Sequence, residues 1–296
     1  MTIFVDDLLN PEGPVLLPDG SFCLVEMHPS RGWILWLSAD GKERRVIAKT
    51  GRPNGMTLAA DGTLWVAESV NPPSLLHVTL EGKVEVVATS CEGKEFLFPN
   101  DLRFGPDGML YMTDSGIRMD DWRDVPPAER QGKPTEGRLY RIDPSTGDGK
   151  IIGTGYDFTN GIAFGADNTL YVAATQSGLI YRHLWVNGAV SSENDVFGSV
   201  IDESRGPIGF RGPDGMAFGT DGNLYVAVVG QQDVTVLGPD GKAVNRIPLA
   251  GPAPTNVAFG PKGSGKLYVT EQGVGNLEVH EVDTDGLPLM QGRTGG

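Results

Sequence analysis

The sequence is poor in the residues that build thiolate or imidazole sites. Its 296 residues include only two cysteines, Cys23 and Cys91, which form no Cys-x-x-Cys pair. This argues against a disulfide framework and against a thiolate metal site. The four histidines stand apart from one another, and no Gly-x-Ser-x-Gly motif is present, which argues against a serine esterase.

Positive charge and long apolar runs are also scarce. The sequence has 24 basic and 38 acidic residues, which gives a net charge of −14. An acidic surface repels phosphate backbones and anionic lipid, so nucleic-acid and membrane partners are disfavoured. No apolar run reaches the length of a membrane span, and residues 1–7 do not resemble a signal peptide. We therefore expect a soluble cytoplasmic protein.

What the sequence does have is one motif written six times. In the clearest copy, residues 212–227, apolar residues alternate with others, an Asp-Gly pair follows, and a second apolar segment ends the copy. Alternation with period two indicates a strand with one buried face, and Asp-Gly favours a tight hairpin turn. Near its start each copy carries a carboxylate or a carboxamide: Glu12, Asn54, Asn100, Asn160, Asp214 and Asn256.

The spacing of these six residues, 42 to 60 positions, is typical of a repeat architecture. Because helical periodicity is almost absent and each interval has room for four strands, we predict an all-β fold. The predicted architecture is a six-bladed β-propeller with four-stranded antiparallel blades, forming a single domain over residues 1–296. The last copy leaves room for about three strands. Residues 2–8 are predicted to supply the outer strand that closes the last blade.

The six polar residues are expected to form a ring, because the first strand of each propeller blade lines the central channel. The ring offers carboxylate and carboxamide oxygens, which suit calcium, magnesium or manganese, and it has no cysteine or histidine for a structural zinc site. The next residue is glycine in four of the six copies, which lets the backbones crowd together. Two simpler interpretations remain: turn residues that cap strand starts, or a calcium ion that only plugs the channel.

Two long intervals interrupt the repeat. Residues 115–136 contain Trp122 and no strand pattern, and residues 202–212 are rich in glycine. Such excursions form lids or pocket walls in some proteins and idle surface loops in others. Three acids at the ends of second strands are either solvated loop residues or groups that support the ring from behind: Glu68, Asp114 and Glu271.

Four short segments together resemble the SMP-30/gluconolactonase/luciferin-regenerating-enzyme family over essentially the whole chain. They are Glu-Gly-Pro at 12–14, Pro-Asn-Asp-Leu at 99–102, Asn-Gly-Ile-Ala at 160–163 and Pro-Asp-Gly-Met at 213–216. The resemblance implies that Glu12, Asn160 and Asp214 bind one divalent cation. Calcium is the first expectation, with magnesium, manganese or zinc as alternatives. The resemblance also implies that Asn100 contacts the metal site or the substrate and that Asp214 is the general base.

The chain departs from this family at one position. Sugar-lactone members often carry an arginine two residues before the substrate asparagine, whereas this sequence has Phe98. An apolar wall there indicates a less polar lactone or ester. Arg118 or Arg211 could supply a guanidinium instead, and the sequence does not choose between them. Asn54 is expected to orient the substrate or a bound water.

Three functions fit these features. The first is a metal-dependent lactonase or esterase that acts on a small lactone or ester. The second is a non-catalytic calcium-binding or regulatory propeller, and the third is a metal-free enzyme like strictosidine synthase. The ring argues against the third, because its oxygen ligands would be idle. We predict the first function, in a monomer or small homo-oligomer.

Overall fold

Six four-stranded antiparallel sheets make up the fold of this protein in a computed structural model that describes residues 1–205 and 209–292. The inner strand of every blade contacts the inner strand of the next, and the inner strand of the sixth contacts that of the first. The sheets therefore close into a six-bladed β-propeller. The predicted all-β architecture and the four-stranded antiparallel blades are confirmed.

The strands of each blade follow one another outward from the channel. Blades 1 to 3 comprise Pro11–Leu16, Phe22–Glu26, Trp33–Leu37 and Arg44–Lys49; Pro53–Leu58, Leu64–Glu68, Ser74–Val78 and Val84–Ala88; and Pro99–Phe104, Leu110–Asp114, Gly137–Ile142 and Gly149–Tyr156. Blades 4 to 6 comprise Thr159–Phe164, Leu170–Ala174, Leu179–His183 and Asp195–Ser199; Gly212–Phe218, Leu224–Val229, Asp233–Leu237 and Ala243–Pro248; and Pro254–Phe259, Lys266–Glu271, Asn276–Glu281 and Thr2–Val5.

Little structure lies outside the blades. Two short hairpins, one α-helix and two 3-10 turns complete the described elements: Ser90–Cys91 with Lys94–Glu95, Trp185–Val186 with Ala189–Val190, Met119–Asp124, Pro127–Gly132 and Glu203–Arg205. Among residues 1–205 and 209–292, no helix is long and apolar enough to cross a bilayer.

The core is divided among the junctions between blades. One apolar cluster lies at each of the six junctions. The cluster between blades 1 and 2, for example, contains Val25, Ile34, Met56 and Val66. Each blade thus packs both faces against its neighbours. Inner strands such as Pro53–Leu58 and Pro99–Phe104 are buried along their whole length, while outer strands such as Arg44–Lys49 are largely exposed.

The predicted turns after the inner strands are present. In blade 2, Oδ1 of Asp61 accepts the backbone N–H of Thr63 at 3.0 Å, and Gly62 has φ 84°. In blade 4 the glycine is replaced by Asn168, which adopts φ 67°. Positive φ at this position is what the hairpin needs, and glycine or asparagine supplies it at least cost.

The N-terminal strand closes the last blade, as predicted. Thr2–Val5 pairs antiparallel with Asn276–Glu281, and the N–H of Leu8 donates to the carbonyl of Gly275 at 2.9 Å. Val5 and Leu8 are buried in the cluster between blades 6 and 1. The two ends of the chain therefore share one sheet, which covers an edge that would otherwise be open.

Deleting residues 1–8 should lower the melting temperature sharply. Burying Val5 and Leu8 stabilises the fold by about 1.5–3 kcal/mol each, which corresponds to a loss of roughly 6–12 °C in a protein of this size, at about 2 °C per kcal/mol. Calorimetry of the truncated and full-length chains measures this. Removal of Met1 alone, which is 69% exposed, is the control and should change nothing. An unchanged melting temperature in the longer truncation would contradict the closure.

The C-terminal segment packs at the end of the inner strands opposite the ring. Residues 287–290 line a small cavity together with Phe104, Phe164 and Phe218, the last residues of the inner strands of blades 3 to 5. The N–H of Leu287 donates to the carbonyl of Phe218 at 2.8 Å. This places apolar contacts at one end of the inner strands and polar ring residues at the other.

Candidate active site

The six aligned residues all lie near the start of their blade's inner strand. Five are buried, with 1–4% of their surface exposed, and Asp214 is partly exposed. At each of the six positions the pairing of the inner strand with the second strand shifts register. Such bulges re-aim side chains and are frequent beside functional sites. They release the ring residues from the regular ladder.

Ring residues of adjacent blades contact one another. Nδ2 of Asn256 donates to Oε2 of Glu12 at 3.1 Å, which links blade 6 to blade 1. The Asn160 amide lies close enough to the Asp214 carboxylate to lower its pKa, which couples blade 4 to blade 5. The glycines that follow ring residues allow this approach, since a Cβ on Gly215 would lie 2.0 Å from the Asn256 side chain.

Hydroxyl groups determine which way two of the carboxamides face. Oγ1 of Thr175 donates to a carbonyl of blade 5 at 2.8 Å, so it can only accept from Nδ2 of Asn160 at 3.1 Å. Ser115 orients Asn100 in the same way, with Nδ2 at 2.9 Å from its Oγ. Oδ1 of Asn160 is buried without a hydrogen-bond partner among the described residues. An unpartnered buried acceptor costs about 1–3 kcal/mol, so this oxygen is well suited to be a ligand atom.

The acids of the ring repel one another. Burial, followed by the charge of Asp101, raises the pKa of Glu12 to about 8. Burial, followed by the charges of Glu12 and Asp101, raises the pKa of Asp214 well above its ordinary value. Carboxylates that raise each other's pKa are stabilised as anions by a nearby cation. The electrostatics of the ring therefore favour a bound metal ion.

Asp101 belongs to this group of acids although the sequence analysis did not predict it. It stands where four other copies have glycine, and its side chain extends past Gly55, where a Cβ would lie 2.3 Å from Oδ1 of Asp101. Nη1 of Arg103 forms a buried ion pair with this oxygen at 2.9 Å. Burial raises the pKa of Asp101 against the opposing effect of Arg103. The break in the glycine pattern was the sequence signal.

The donor set fits a hard divalent cation. Glu12 and Asp214 provide carboxylates, and Asn160 provides the unpartnered oxygen described above. In the described part of the chain no three His, Cys, Asp or Glu side chains are grouped as a metal cluster, so the fit depends on two carboxylates together with a carboxamide. Calcium, magnesium and manganese accept such oxygen ligands.

Two residues before the ring, three successive blades carry large side chains that contact one another. Arg52, Phe98 and Phe158 hold this position in blades 2, 3 and 4, and together we call them the arc. The Arg52 guanidinium lies 4.9 Å from the ring centroid of Phe98, whose ring lies 5.7 Å from that of Phe158. The sequence analysis missed Arg52 because, of the residues two positions before the ring, it compared only Phe98 with the family pattern.

Buried acids hold the backbone that presents the arc. Oε1 of Glu68 accepts the N–H of Arg52 at 2.7 Å, and Oδ1 of Asp114 accepts the N–H of Phe98 at 3.0 Å. Glu271 accepts backbone N–H groups in blade 6 in the same way. These three acids are 0–3% exposed. The interpretation of them as solvated loop residues is therefore wrong, and they instead fix the segments that precede the inner strands.

The excursion at 115–136 packs against the arc. The ring of Trp122, in the helix Met119–Asp124, lies 4.5 Å from that of Phe158 and 5.2 Å from that of Phe210. Trp122, Phe98 and Phe158 belong to one buried apolar cluster. The excursion is thus held against the arc. Its role as a pocket wall stays a prediction.

Polar contacts fasten the same excursion to blades 4 and 5. Nε2 of Gln131 donates to the carbonyl of Gln176 at 2.6 Å, and Oε1 of Gln131 accepts the N–H of Arg211 at 2.7 Å. Oγ1 of Thr135 accepts the N–H of Phe158 at 2.7 Å. An insertion that begins in blade 3 therefore reaches across to blade 5.

The two arginines considered from the sequence lie in different surroundings. Arg118 is half-exposed, pairs with Glu95 at 2.6 Å and lines a surface cleft of about 630 Å³. Arg211 is buried, and its Nη1 donates to the carbonyl of Asp202 at 3.3 Å. Residues 206–208 of the glycine-rich excursion 202–212 lie outside the described residues. Substrate contacts by Arg118 and Arg211 stay predictions.

Relatives of this chain were found by sequence and by structure. The gluconolactonase of Zymomonas mobilis is 28% identical over 283 residues, covering 88% of this chain and 76% of that protein. The diisopropyl-fluorophosphatase of Loligo vulgaris is 30% identical over 297 residues, covering 91% and 88%. The structure of regucalcin, a calcium-binding protein of Agrobacterium tumefaciens, is 18% identical with a TM-score of 0.76 over 99% of this chain and 100% of that one, a likeness of fold alone.

The family assignment follows from a match over most of the sequence. Residues 10–273 match the family described as SMP-30/gluconolactonase/LRE-like. This span runs from the strand that carries Glu12 to the blade that carries Asn256, so it includes every ring residue. The chain therefore belongs to the SMP-30/gluconolactonase/LRE-like family.

Proposed function

We propose that this protein is a divalent-metal-dependent lactonase or esterase that hydrolyses a small lactone or ester. The observation that carries the proposal is the buried, unpartnered Oδ1 of Asn160 beside the Asp214 carboxylate, in a ring that also contains Glu12. Relatives named for lactone and fluorophosphate hydrolysis support a hydrolase.

Glu12, Asn160 and Asp214 would hold the cation. Calcium is expected first, because it accepts several oxygen ligands in tolerant geometry, and magnesium, manganese or zinc are the alternatives. When bound, the cation supplies Lewis-acid polarisation of the scissile carbonyl. Its positive charge would also offset the mutual repulsion of Glu12 and Asp214.

The protein's own groups would carry the proton and position the substrate. Asp214 is the partly exposed acid of the ring, so it can take a proton from the water that attacks the carbonyl carbon. The C–O bond of the lactone then breaks, and the leaving alkoxide receives that proton to give the hydroxy acid. Asn100 and Asn54 would orient the substrate or a water, and Phe98 would contribute an apolar wall.

The remaining properties are predictions of the same account. One propeller domain over 1–296 would act as a monomer or small homo-oligomer in the cytoplasm, without a nucleic-acid or membrane partner. Its partner would be the small-molecule substrate alone. Arg118 and Arg211 stay candidate substrate contacts.

A panel of lactones and simple esters tests the function. We expect hydrolysis of at least one lactone, loss of that activity after treatment with a chelator, and recovery when calcium, magnesium, manganese or zinc is added back. Because the cation would polarise the carbonyl, activity without it should be negligible. Product is measured as acid released at constant pH.

Two outcomes would overturn the proposal. Tight cation binding without hydrolysis of any substrate would indicate a non-catalytic calcium-binding or regulatory propeller. Hydrolysis that is insensitive to the chelator would indicate a metal-free enzyme. The heat-denatured protein, treated identically, is the control for spontaneous hydrolysis.

A further inference from the structure

The Arg52 guanidinium is held in place by its neighbours, but few of its N–H donors form hydrogen bonds with the described residues. Its guanidinium lies against the face of Phe98 at 4.9 Å, and its one side-chain hydrogen bond described in the structure is a long one, 3.3 Å from Nη1 to Oγ of Ser69. Oε1 of Glu68 accepts the backbone N–H groups of Arg52 and Val70. A guanidinium has five N–H donors, so most of them are available to a ligand.

The position of this cation is beside the ring. The charges of Glu12 and Asp214 both act on Arg52, and so does the positive charge of Arg123 on the helix Met119–Asp124. Burial lowers the pKa of Arg52 to about 10, ahead of the opposing effect of Glu68, so the side chain stays charged at neutral pH. Arg52 precedes the ring residue Asn54 by two positions, so the fold keeps a guanidinium beside the ring of a protein whose net charge is −14.

The stack makes the guanidinium rigid. Phe98 is 3% exposed and Phe158 is 5% exposed, so each is almost fully covered by its neighbours in the arc and by Trp122. Phe98 therefore acts through Arg52, as a positioning residue beneath it. A guanidinium held against an aromatic ring loses little entropy when it binds a planar carboxylate in a bidentate manner.

We propose that Arg52 binds a carboxylate substituent of the substrate, so that this protein prefers lactones or esters that carry an acid group. The inference rests on the proposed function for the site, and it adds the substrate class. The lactone carbonyl lies at the ring while the second, anionic group lies at Arg52. Arg52 lies over the ring of Phe98, so the apolar wall expected from the sequence carries a charged group beside it.

A matched pair of substrates tests this inference. One probe is γ-butyrolactone with a ring carboxylate, and the other is the same lactone with a carboxamide in place of the acid. In the Arg52→Met variant we expect KM for the acid probe to rise about 10- to 100-fold, because a charge-assisted hydrogen bond contributes about 1.5–3 kcal/mol. KM for the amide probe should change less than about threefold, and kcat should change little for either probe.

Matched variants separate binding from folding. Arg45 also lies over an aromatic ring, 5.8 Å from Trp36 on blade 1, so Arg45→Met is the control for losing a stacked guanidinium and should leave both KM values unchanged. Arg52→Lys should recover part of the preference for the acid probe. Equal losses on both probes in Arg52→Met, or no loss on the acid probe, would overturn the inference.

Failure of the proposed function can be told apart from failure of the inference. If the wild-type protein hydrolyses neither probe, the inference is read from binding of the two probes by calorimetry. The proposed function itself fails only if no lactone or ester of the panel is hydrolysed. It holds if the acid probe binds about 10- to 100-fold more weakly to Arg52→Met than to wild type while the amide probe does not. Equal affinities for the acid probe in the two proteins would overturn it.

Discussion

Replacement of Asp214 by asparagine should abolish turnover and leave the fold intact. The change keeps the size of the side chain but removes the group that would take a proton from water. General-base catalysis contributes about 100- to 10,000-fold, so kcat at saturating calcium should fall by that factor. The measurement is kcat on the best lactone of the panel.

The fold should tolerate this change for an electrostatic reason. Burial, with the charges of Glu12 and Asp101, raises the pKa of Asp214. A raised carboxylate pKa means that the ionised form is disfavoured in the folded state at neutral pH, so a neutral asparagine relieves repulsion. The melting temperature in the presence of a chelator should therefore be no lower than that of wild type.

A second aspartate in the same blade provides the control. Asp240 lies in the turn before the outer strand of blade 5, where its Oδ1 accepts the N–H of Lys242 at 3.2 Å. Asp240→Asn should keep wild-type kcat, because this group is remote in sequence and structure from the inner strand. Full activity in Asp214→Asn would contradict the role of Asp214 as the base.

The repeated motif was sufficient to predict the fold. Alternating apolar residues, the Asp-Gly turns and the spacing of the six copies each depend on local chemistry that every blade repeats. The closing strand Thr2–Val5 could also be predicted, because the last copy was one strand short. The helix Met119–Asp124 could not, since its packing depends on Phe158 and Phe210, which are distant in sequence.

The ring positions were predictable for the same reason, and the residues that were missed are exceptions to the repeat. Asp101 stands where four copies have glycine, and its charge raises the pKa of Glu12 and Asp214 only when the blades close. Arg52 occupies in blade 2 the position of Phe98 in blade 3. Its significance depends on the stacking of neighbouring blades, which a single copy of the motif does not reveal.

The loss of the Asn160 carboxamide should weaken calcium binding far more than the loss of the Asn54 carboxamide. Oδ1 of Asn160 is a buried ring oxygen without a hydrogen-bond partner among the described residues, and Thr175 holds its amide nitrogen in place. Removing a group that only supports a metal ligand costs about 10- to 100-fold in affinity, so removing a ligand should cost about 100-fold or more. The Asn54 side chain belongs to the same ring and is equally buried. The Asn54→Ala substitution should lower calcium affinity by less than about tenfold.

Calorimetric titration of calcium into chelator-treated protein tests the central claim, that Glu12, Asn160 and Asp214 hold one divalent cation. The account predicts one calcium per chain in wild type, a similar site in Asn54→Ala, and a site weakened by about 100-fold or more in Asn160→Ala. Wild-type affinity in Asn160→Ala, or wild-type protein that binds none of calcium, magnesium, manganese or zinc, would contradict it.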